Sequence, residues 1–575
     1  MRYQSIYDIA ELCALKGVTQ AILCPGSRCA PLTLAFINHN DIKSRTISDE
    51  RSAGFIALGI AHQSQTPSVL VCTSGSASYN FSPAIAEAFF QQVPLIILTA
   101  DRPKEWIDQY DGQTIRQEHI FGAHVKKSFT LPEDYEHPDS VWFIQRTINE
   151  AINLSNEYPK GPVHINAPFR EPLYPAKNEK VSFSKNLKVI SSTKMLSGVP
   201  DAEIQELRRK LTGFSKVLVV GGQQDFDDTT CKALEKFSET HHAPVLGDII
   251  SNLHSNKNTI RYSDTFLSVC GKDVEKSLHP ELLITFGKSV ISKSTKIFLR
   301  NFKPVEHWHI QPSGSAADTF QSLTKVIHAD PEYTFKLFAS EKKEKGFEAQ
   351  KKENFFRVWQ AEEHRTILSM GSYFKSIPFS ELGLVKELIS NLPARCNLHL
   401  ANSMSVRYAN FIGIESGKKG IHVFSNRGTS GIDGCTSAAV GHSFCNEIPN
   451  FLITGDMAFF YDRNAFWHNY LLPNLHILVL NNHGGIIFNM IDGPGQLKEG
   501  DEYFVTKQRL SARNLAAEFN FDYSHVDSQQ KMKNALKGFF VFDGKTKILE
   551  LESSQEGNIT AFEFFKQQIK SGYGA

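Results

Sequence analysis

The sequence of 575 residues lacks a charge imbalance, because 62 Lys and Arg accompany 61 Asp and Glu, for a formal net charge of +1. This balance gives no reason to expect a nucleic acid or an anionic membrane as partner. No apolar stretch approaches the roughly 18 residues of a membrane helix, and the first seven residues carry no uninterrupted apolar leader. These absences predict a soluble, cytoplasmic protein.

Paired cysteines and a dinucleotide fingerprint are also missing. The nine cysteines are scattered without a repeated C-x-x-C, and their odd number predicts reduced thiols. Cys13, Cys24 and Cys72 lie in apolar runs and are expected to be small core residues. Residues 219–223 lack the G-x-G-x-x-G spacing, so bound FAD or NAD is not expected.

What the chain does contain is an alternation of short apolar runs with helical patterns, in three blocks. This pattern predicts an α/β protein with three doubly wound domains and mainly parallel sheets. The predicted strands are 20–24, 68–73, 94–99 and 162–166 in the first block, 216–220, 244–246, 282–286 and 296–299 in the second, and 397–401, 422–425, 450–454, 476–480 and 547–551 in the third. Residues 340–363 are dense in Lys and Glu and predict a solvated helical connector.

Two polar side chains directly follow apolar strands of the third block. Asp456 and Asn482 stand 26 positions apart, and both should emerge at the carboxyl edge of a parallel sheet. A carboxylate, an amide oxygen and a nearby backbone carbonyl suit Mg²⁺ that holds a diphosphate. The pair resembles the thiamine diphosphate signature Gly-Asp-Gly followed by Asn-Asn, except that Met457 replaces the second glycine. A plain turn at each position is the alternative.

The first block carries two candidate polar turns. Pro25-Gly26-Ser27-Arg28 follows a strand and could expose backbone amides and a guanidinium. Ser48-Asp49-Glu50 precedes an apolar helix over 53–61. Either Ser48 or Asp49 is an N-cap with Glu50 as a favourable first-turn acid, or Glu50 serves a ligand, since a carboxylate at a buried helix start needs a partner.

Further along the block, small residues at Thr73-Ser74-Gly75 allow something to approach the backbone closely. The segment Ala100-Asp101-Arg102-Pro103 is by default a turn with a self-paired surface arginine. Residues 113–117 read Gln-Thr-Ile-Arg-Gln, a further polar segment of the same block.

The order of these motifs is distinctive. Cys-Pro-Gly-Ser-Arg, Ser-Asp-Glu-Arg-Ser-Ala, Thr-Ser-Gly-Ser-Ala, Thr-Ala-Asp-Arg-Pro, Gln-Thr-Ile-Arg-Gln and Asn-Arg-Gly-Thr-Ser-Gly-Ile-Asp-Gly at 426–434 follow one another at approximately the spacing of one family. Over nearly its full length the chain resembles the 2-succinyl-5-enolpyruvyl-6-hydroxy-3-cyclohexene-1-carboxylate synthases, thiamine-diphosphate enzymes of menaquinone biosynthesis.

This resemblance implies a pyrimidine-binding domain (1–178), a central domain (179–340), a charged linker (341–374) and a diphosphate-binding domain (375–575). It also implies a homodimer, or a dimer of dimers (homotetramer), with active sites shared between subunits. The implied transferase reaction decarboxylates 2-oxoglutarate on thiamine diphosphate and adds the succinyl-semialdehyde carbanion to isochorismate, releasing CO₂.

The resemblance implies roles residue by residue. Glu50 would hydrogen-bond the cofactor pyrimidine as the catalytic residue, and Asp456, Asn482 and the Gly484 carbonyl would bind Mg²⁺ or Mn²⁺. The remaining implied cofactor contacts are Thr73, Ser74, Gly75, Ser403, Ile432, Gly455, Met457, Ile487 and Phe488. The implied substrate contacts are Ser27, Arg28, Arg102, Gln113, Lys293, Arg407 and Arg427.

Two other functions stay open. One is a thiamine-diphosphate lyase or synthase with another 2-oxo acid, of the acetolactate type. The number of arginines in the motifs argues against it, because a pyruvate enzyme needs fewer cations than one that binds two dicarboxylates. The other is a non-catalytic thiamine-diphosphate-binding relative, and the presence of Glu50 argues against that.

Overall fold

A computed structural model describes residues 3–573, except 178, 194–197, 341–345, 416, 417, 419, 491–494 and 496. The described residues form three six-stranded sheets whose paired strands run parallel, with helices in the connections. The predicted α/β fold class is therefore confirmed. Because parallel strands need crossover connections, helices lie between most successive strands.

The first sheet has the strand order β2-β1-β3-β4-β6-β5. Its strands are β1 (Gln20–Leu23), β2 (Lys43–Thr46), β3 (Ser68–Cys72), β4 (Leu95–Asp101), β5 (Ser128–Thr130) and β6 (Val163–Pro168), and its helices are α1 (Gln4–Leu15), α2 (Ala30–Ile37), α3 (Glu50–Ser64), α4 (Ser76–Asn80), α5 (Ser82–Gln91) and α6 (Pro138–Asn156). Strands β3 and β4 are buried at every position, as their continuous apolar runs predict.

The second sheet has the order β12-β11-β10-β7-β8-β9. Its strands are β7 (Val217–Gly221), β8 (Val245–Gly247), β9 (Thr259–Ile260), β10 (Leu282–Phe286), β11 (Glu306–Gln311) and β12 (Lys325–His328), and its helices are α7 (Asp201–Gly213), α8 (Asp228–His241), α9 (Ser263–Leu267), α10 (Lys272–Leu278), α11 (Lys293–Asn301) and α12 (Pro331–Ala339).

The predicted strand at 296–299 is wrong, because these residues belong to α11. Ser292 caps the helix by accepting a hydrogen bond from the Thr295 amide. The buried positions Thr295, Phe298 and Leu299 recur at helical spacing. The segment is thus part of an amphipathic helix whose inner face includes Phe298 and Leu299, while Ile297 is exposed, and the next strand is β11.

The third sheet has the order β14-β13-β15-β16-β18-β17. Its strands are β13 (Cys396–Leu400), β14 (Ile421–Phe424), β15 (Asn450–Gly455), β16 (Leu475–Asn481), β17 (Asp522–Val526) and β18 (Lys547–Glu552), and the helices of this part of the chain are α13 (Phe347–Phe374), α14 (Glu381–Asn391), α15 (Met404–Ile412), α16 (Cys435–Ser443), α17 (Asp456–Tyr461), α18 (Ile487–Met490), α19 (Ala512–Glu518), α20 (Gln529–Phe539) and α21 (Gln555–Ser571).

Helix α13 corrects the expectation of a solvated connector. Its helical character is as predicted, but Phe355, Trp359, Thr366 and Met370 are buried along one face, and Trp359 packs against Phe266 in α9 with ring centroids 5.9 Å apart. The helix is therefore part of a core. Residues 341–345 at the start of the predicted linker lie outside the described residues, and the domain boundaries stay predictions.

The chain divides into two compact units. The first comprises Met1–Lys194, Asn426–Glu447 and Ala458–Leu475, and the second comprises Met195–Ser425, Ile448–Met457 and His476–Ala575. Within the first unit, α3 packs closely on α16. A Cβ atom added at Gly59 would lie 2.1 Å from the Ala438 carbonyl oxygen, and one at Gly441 would lie 2.2 Å from the Ile56 carbonyl oxygen. Glycine is required at both positions for this close approach.

Two expectations about composition can be compared with the structure. Cys13, Cys24 and Cys72 are almost fully buried, which confirms them as core residues. None of the nine cysteines, all of which lie in the described ranges, forms a disulfide. No helix in the described part of the chain is both long and apolar enough to cross a membrane.

Candidate active site

The predicted site residues fall into two groups, one in each unit. In the second unit, Asp456 follows β15 and Asn482 follows β16, and these strands are neighbours in the sheet. Both side chains are buried, with 1% and 6% of their residue surfaces exposed. The two residues therefore share the carboxyl edge of the third sheet, as the parallel topology requires.

Neutral amides surround the Asp456 carboxylate. Its Oδ1 accepts a hydrogen bond from the Met457 amide at 2.8 Å, and its Oδ2 accepts one from Gln508 Nε2 at 2.7 Å. Burial raises the pKa of Asp456 to about 6, although the hydrogen bonds from Gln508 and from the Met457 and Gly484 amides oppose this rise. A cation beside this carboxylate would favour its charged form.

Both the nitrogen and the oxygen of the Asn482 side-chain amide form hydrogen bonds. Its Nδ2 donates to Glu381 Oε1 at 2.7 Å, and its Oδ1 accepts from Gln555 Nε2 at 3.4 Å. The neighbouring Gly484 carbonyl accepts a hydrogen bond from the Ile486 amide at 3.0 Å. Gly455, before Asp456, has no other atom within 4 Å of an added Cβ, so its backbone can be approached closely.

These residues fit a divalent cation and a diphosphate. The set offers a carboxylate, an amide oxygen and a carbonyl, the hard oxygen ligands that Mg²⁺ prefers. Beside Asn482 lies a cavity of about 590 Å³. Its lining residues are Asn482, His483, Lys507, Gln508, Arg509 and Gln555. The positive charges of Lys507 and Arg509 suit an anionic group there.

Ser403 and Arg407 lie at the start of α15, after β13. Ser403 has φ of +69°, a conformation that is unfavourable for a residue with a Cβ and is often found at functional sites. Arg407 Nη1 donates to the Ser403 carbonyl at 2.6 Å, and burial lowers the pKa of Arg407 while the charge of Asp264 raises it. Lys293, the first residue of α11, is exposed.

Ile487 and Phe488 begin the short helix α18, and both are half-buried. The Phe488 ring lies 5.9 Å from that of Phe504, in an edge-to-face arrangement. The Val505 carbonyl accepts a hydrogen bond from the Gly485 amide at 2.6 Å, which joins residue 505 to the turn after β16. The two residues thus form an apolar surface that follows the Asn482 turn.

In the first unit, Glu50 is the first residue of α3. Asp49 is the N-cap: its Oδ1 accepts from the amides of Arg51 at 2.9 Å and Ser52 at 3.3 Å, and its Oδ2 accepts from Asn464 Nδ2 at 2.7 Å. Of the two proposed caps, Asp49 is therefore correct and Ser48 is not needed. Since Asp49 performs the capping, the Glu50 carboxylate remains available for a ligand.

Thr73, Ser74 and Gly75 follow β3. The hydroxyls of Thr73 and Ser74 are buried and have no hydrogen-bond partner among the described residues, which is unusual unless a ligand supplies one. Gly75 has φ of +89°, and a Cβ there would lie 3.3 Å from Gln113 Cα. Gln113 thus lies against the turn that contains Thr73, and both this proximity and the positive φ favour glycine at position 75.

Ser27 and Arg28 follow β1, next to the same turn. A Cβ on Gly26 would lie 2.3 Å from Thr73 Cβ, so the two turns touch. Arg28 is buried, and its Nη1 donates to the Phe169 carbonyl at 2.9 Å. Its Nη2 pairs with Glu171 at 3.3 Å. The fold itself therefore already holds this guanidinium.

Arg102 also has a local partner. Its Nε lies 3.2 Å from Asp111 Oδ2, and its Nη2 donates to the Gly112 carbonyl at 2.9 Å. These contacts agree with the expected turn in which the arginine pairs with a neighbouring acid. Its place directly after β4 nevertheless puts it at the same sheet edge as the turns after β1 and β3.

Arg427 and Ile432 lie in the loop before α16, and Ile432 is 37% exposed. Glu87 of α5 anchors this loop, because its carboxylate accepts from the Gly428 amide at 2.7 Å and from the Thr429 amide at 2.6 Å. Sequence reasoning missed Glu87, whose only signal is a lone acid in an apolar helix.

Gln117 is a second residue whose role the sequence did not indicate. Its Oε1 accepts from the Gly75 amide at 2.7 Å, while its Nε2 donates to the Ala100 carbonyl and to Asn166 Oδ1, both at 3.0 Å. It ties the loop to the ends of β3, β4 and β6. Glu381 and Gln508, which contact Asn482 and Asp456, were missed as well because they are remote in sequence.

Comparison with known proteins gives consistent results. Residues 7–120 match a family described as thiamine pyrophosphate enzyme, N-terminal TPP binding domain, and residues 190–400 match one described as middle domain of thiamine pyrophosphate. The 2-succinyl-5-enolpyruvyl-6-hydroxy-3-cyclohexene-1-carboxylate synthase of Cytophaga hutchinsonii is 45% identical over 573 residues, which cover 99% of this chain and 100% of that protein.

Other relatives carry the same name. The synthase of Flavobacterium johnsoniae is 38% identical over 97% of this chain and 98% of its own length. That of Phocaeicola vulgatus is 35% identical over 99% of both chains. The similarity therefore extends over all three sheets.

Proposed function

Since this chain belongs to the family of 2-succinyl-5-enolpyruvyl-6-hydroxy-3-cyclohexene-1-carboxylate synthases, we propose that it decarboxylates 2-oxoglutarate with thiamine diphosphate and joins the four-carbon remainder to isochorismate. It is a thiamine-diphosphate-dependent synthase of the transferase class, which acts in menaquinone biosynthesis. The observation that carries the proposal is the placement of Asp456 and Asn482 at adjacent strand ends in a chain similar over its full length to these synthases.

Thiamine diphosphate, when bound, supplies the electron sink for decarboxylation. Asp456, Asn482 and the Gly484 carbonyl would hold Mg²⁺ or Mn²⁺, whose charge would offset that of the diphosphate. Support for this role comes from the hard oxygen donors, the burial of Asp456 and the cavity of about 590 Å³ beside Asn482. Gly455 and Met457 provide the backbone that the diphosphate approaches.

Glu50 would hydrogen-bond a ring nitrogen of the cofactor pyrimidine and would assist proton transfer at that nitrogen. Its position at the first turn of α3, next to a helix cap already made by Asp49, supports the role. Thr73 and Ser74 offer unsatisfied hydroxyls for further cofactor contacts. The remaining cofactor contacts are Gly75, Ser403, Ile432, Ile487 and Phe488.

Cations and amides bind the carboxylates of the two substrates. Arginine suits this task because its fork meets a carboxylate with two parallel hydrogen bonds. Arg407 is half-buried beside the positive-φ residue Ser403, which supports a direct contact with substrate. The other members of the set are Ser27, Arg28, Arg102, Gln113, Lys293 and Arg427.

The assembly we propose is a cytoplasmic homodimer or dimer of dimers in which two subunits share each active site. Family membership supports this proposal, since such a site would pair the pyrimidine-binding part of one subunit with the diphosphate-binding part of its neighbour. Light scattering on the purified protein tests it. A monomer that turns over at full rate would contradict the shared site.

The decisive assay separates this reaction from that of an acetolactate-type enzyme. Purified protein with thiamine diphosphate and Mg²⁺ should consume 2-oxoglutarate and isochorismate together, with release of CO₂ and formation of the adduct detected by mass spectrometry. Turnover of pyruvate, and none of this pair, would overturn the proposal. Cofactor binding without any turnover would favour a non-catalytic relative.

A further inference from the structure

Glu381 is a buried carboxylate with no role in the mechanism above. It is the first residue of α14 and 1% exposed. Ser380 already caps this helix by accepting from the Gly383 amide at 3.3 Å. The Glu381 amide donates to Asn558 Oδ1 at 2.9 Å. The backbone is thus fixed by other groups, and the carboxylate is not required for capping.

The carboxylate instead contacts a predicted metal ligand. Glu381 Oε1 accepts the hydrogen bond from Asn482 Nδ2 at 2.7 Å. The donor in this contact is the amide nitrogen of Asn482, so the position of the Glu381 carboxylate fixes which way that amide faces. Its NH₂ group must point to Glu381, and its oxygen must point away, where Gln555 Nε2 lies at 3.4 Å.

A second buried side chain lies beside the Glu381 carboxylate. It is Tyr408 of α15, which is 1% exposed and whose hydroxyl donates to Met490 Sδ at 3.9 Å. Because α14 begins at Glu381 and the Glu381 amide is bonded to Asn558 of α21, the backbone that carries the carboxylate is fixed, and the carboxylate itself is buried. A fixed acceptor restricts the orientation of the Asn482 amide.

The neighbouring residue Asn481 provides an internal comparison. Its Nδ2 donates to the buried carboxylate of Glu550 at 2.8 Å, but its Oδ1 accepts from the His483 amide at 3.2 Å. The oxygen of Asn481 is thus used by the backbone turn. Asn482 is held in the same manner by Glu381 and lines the cavity. Its Oδ1 has the weaker contact, with Gln555 Nε2 at 3.4 Å, so it is the better placed of the two oxygens for a cation.

We propose that Glu381 is a positioning residue, which holds the Asn482 amide so that its Oδ1 faces the divalent cation. The inference rests on the proposed metal site. Carboxylates behind a metal ligand commonly act in this way, and their loss typically weakens metal affinity by about 10- to 100-fold. Glu381 does not touch the cation, the cofactor or the substrates in this role.

The test is Mn²⁺ binding, measured by electron paramagnetic resonance on the full-length protein saturated with thiamine diphosphate. Glu381→Met, similar in volume but without the acceptor, should weaken Mn²⁺ binding about 10- to 100-fold, as should Glu381→Ala. Glu381→Gln should retain most of the affinity, because its amide oxygen can still accept from Asn482. Thermal unfolding of each apo protein checks that it is folded.

Glu363→Gln is the matched control. Glu363 is also buried, and it accepts hydrogen bonds from the Arg261 and Tyr262 amides at 3.1 and 3.0 Å. Its replacement should lower stability without changing Mn²⁺ affinity. A folded Glu381→Met or Glu381→Ala protein with wild-type affinity overturns the proposal, and so does a Glu381→Gln protein that loses affinity equally. Wild-type protein that binds no Mn²⁺ refutes the metal site itself, which is a separate result.

Discussion

Asp264 accepts a hydrogen bond from Asn410, with 3.3 Å between Oδ2 and Nδ2, and so joins α9 to α15. The other oxygen of this carboxylate accepts from Ser292 Oγ at 2.7 Å and from the Ser294 amide at 3.2 Å. These two serines flank Lys293. One buried carboxylate therefore fixes both the start of α11 and the helix that carries Arg407.

We expect Asp264→Asn to misplace the two cations. In the variant, the new NH₂ group would either face the NH₂ group of Asn410 or replace the oxygen that accepts from Ser292 and Ser294. In both cases at least one buried hydrogen bond is lost, which lowers the stability of the folded state by about 1 to 3 kcal/mol. KM for 2-oxoglutarate or isochorismate should rise while thiamine diphosphate affinity stays unchanged. Steady-state kinetics and calorimetry measure both.

Glu281→Gln is the control for that variant. Glu281 accepts from the Ser215 and Lys216 amides at 2.8 and 3.1 Å, but it precedes β10 and so lies at the opposite edge of the second sheet from Ser292. It should lower stability and leave both KM values unchanged. Equal KM values in Asp264→Asn and wild type would contradict the expectation.

Glu50→Gln should reduce turnover by about 10²- to 10⁴-fold, the usual effect of removing a proton-transfer group. Because Asp49 supplies the helix cap, the free energy of unfolding should change by less than about 0.5 kcal/mol. Single-turnover kinetics and urea unfolding measure the two effects. Glu11→Gln, which alters a contact with His39, serves as the control. An unchanged rate would refute the role of Glu50.

Asp456→Ala should abolish the stabilisation that Mg²⁺ and thiamine diphosphate give together. A ligand at 100 times its Kd stabilises the folded state by about 2.7 kcal/mol, and thermal unfolding with and without both ligands measures this gain. Asp462→Asn, in the other unit, is the control, because it also removes a buried carboxylate. This variant should still be stabilised by the two ligands. A ligand-induced shift of wild-type size in Asp456→Ala would contradict the assignment.

Asp462 also predicts a dependence of stability on pH. Burial raises the pKa of Asp462 to about 7, against the hydrogen bonds from the Ser437 hydroxyl and amide. Unfolded, an Asp ionises near 3.9. Between about pH 4 and 7 the folded state therefore binds more protons, so this group's contribution to stability falls as pH rises, by up to about 1.4 kcal/mol per pH unit.

Comparison with Asp462→Asn isolates this contribution from the other titrating groups. The difference in unfolding free energy, wild type minus variant, should decrease steadily from pH 4 to 7. Urea unfolding at several pH values measures it. Parallel curves for the two proteins would show that Asp462 ionises normally in the folded state.

Gly59→Ala should destabilise the protein by about 1 to 3 kcal/mol, as overpacking commonly does, because the new methyl would overlap the Ala438 carbonyl. Gly371→Ala in α13 is the control, since an added Cβ there meets nothing within 4 Å. It should stabilise the helix by about 0.5 to 1 kcal/mol. Equal effects of the two variants would contradict the close packing.

The sequence predicted the inner strands of each sheet except β11, since fully buried strands are continuous apolar runs. Of the edge strands, β14 was predicted, whereas β2, β5, β9, β12 and β17 were missed. Strand β2 reads Lys-Ser-Arg-Thr and β17 reads Asp-Tyr-Ser-His-Val, and such polar segments form strands only because a neighbouring strand offers hydrogen-bond partners. The helix α11 was mistaken for a strand because the three apolar residues at 297–299 are too few to show a period.

In the candidate site, too, some residues were predicted from the sequence and others were missed. Asp456 and Asn482 were placed correctly at one sheet edge because strand ends set their positions. Glu381, which orients Asn482, and Glu87, which anchors the 426–434 loop, come from distant parts of the chain. Only the folded structure brings such partners together, so no local pattern indicates them.

The close packing of α3 on α16 has a consequence for the order of folding during synthesis. Gly59 and Gly441 are separated by most of the chain, and contacts of such long range form late. The first sheet can assemble soon after its strands leave the ribosome, but α3 gains its partner only after residue 443 has emerged. Until then the face of α3 that carries Gly59 lacks its partner, a surface suited to temporary protection by a chaperone.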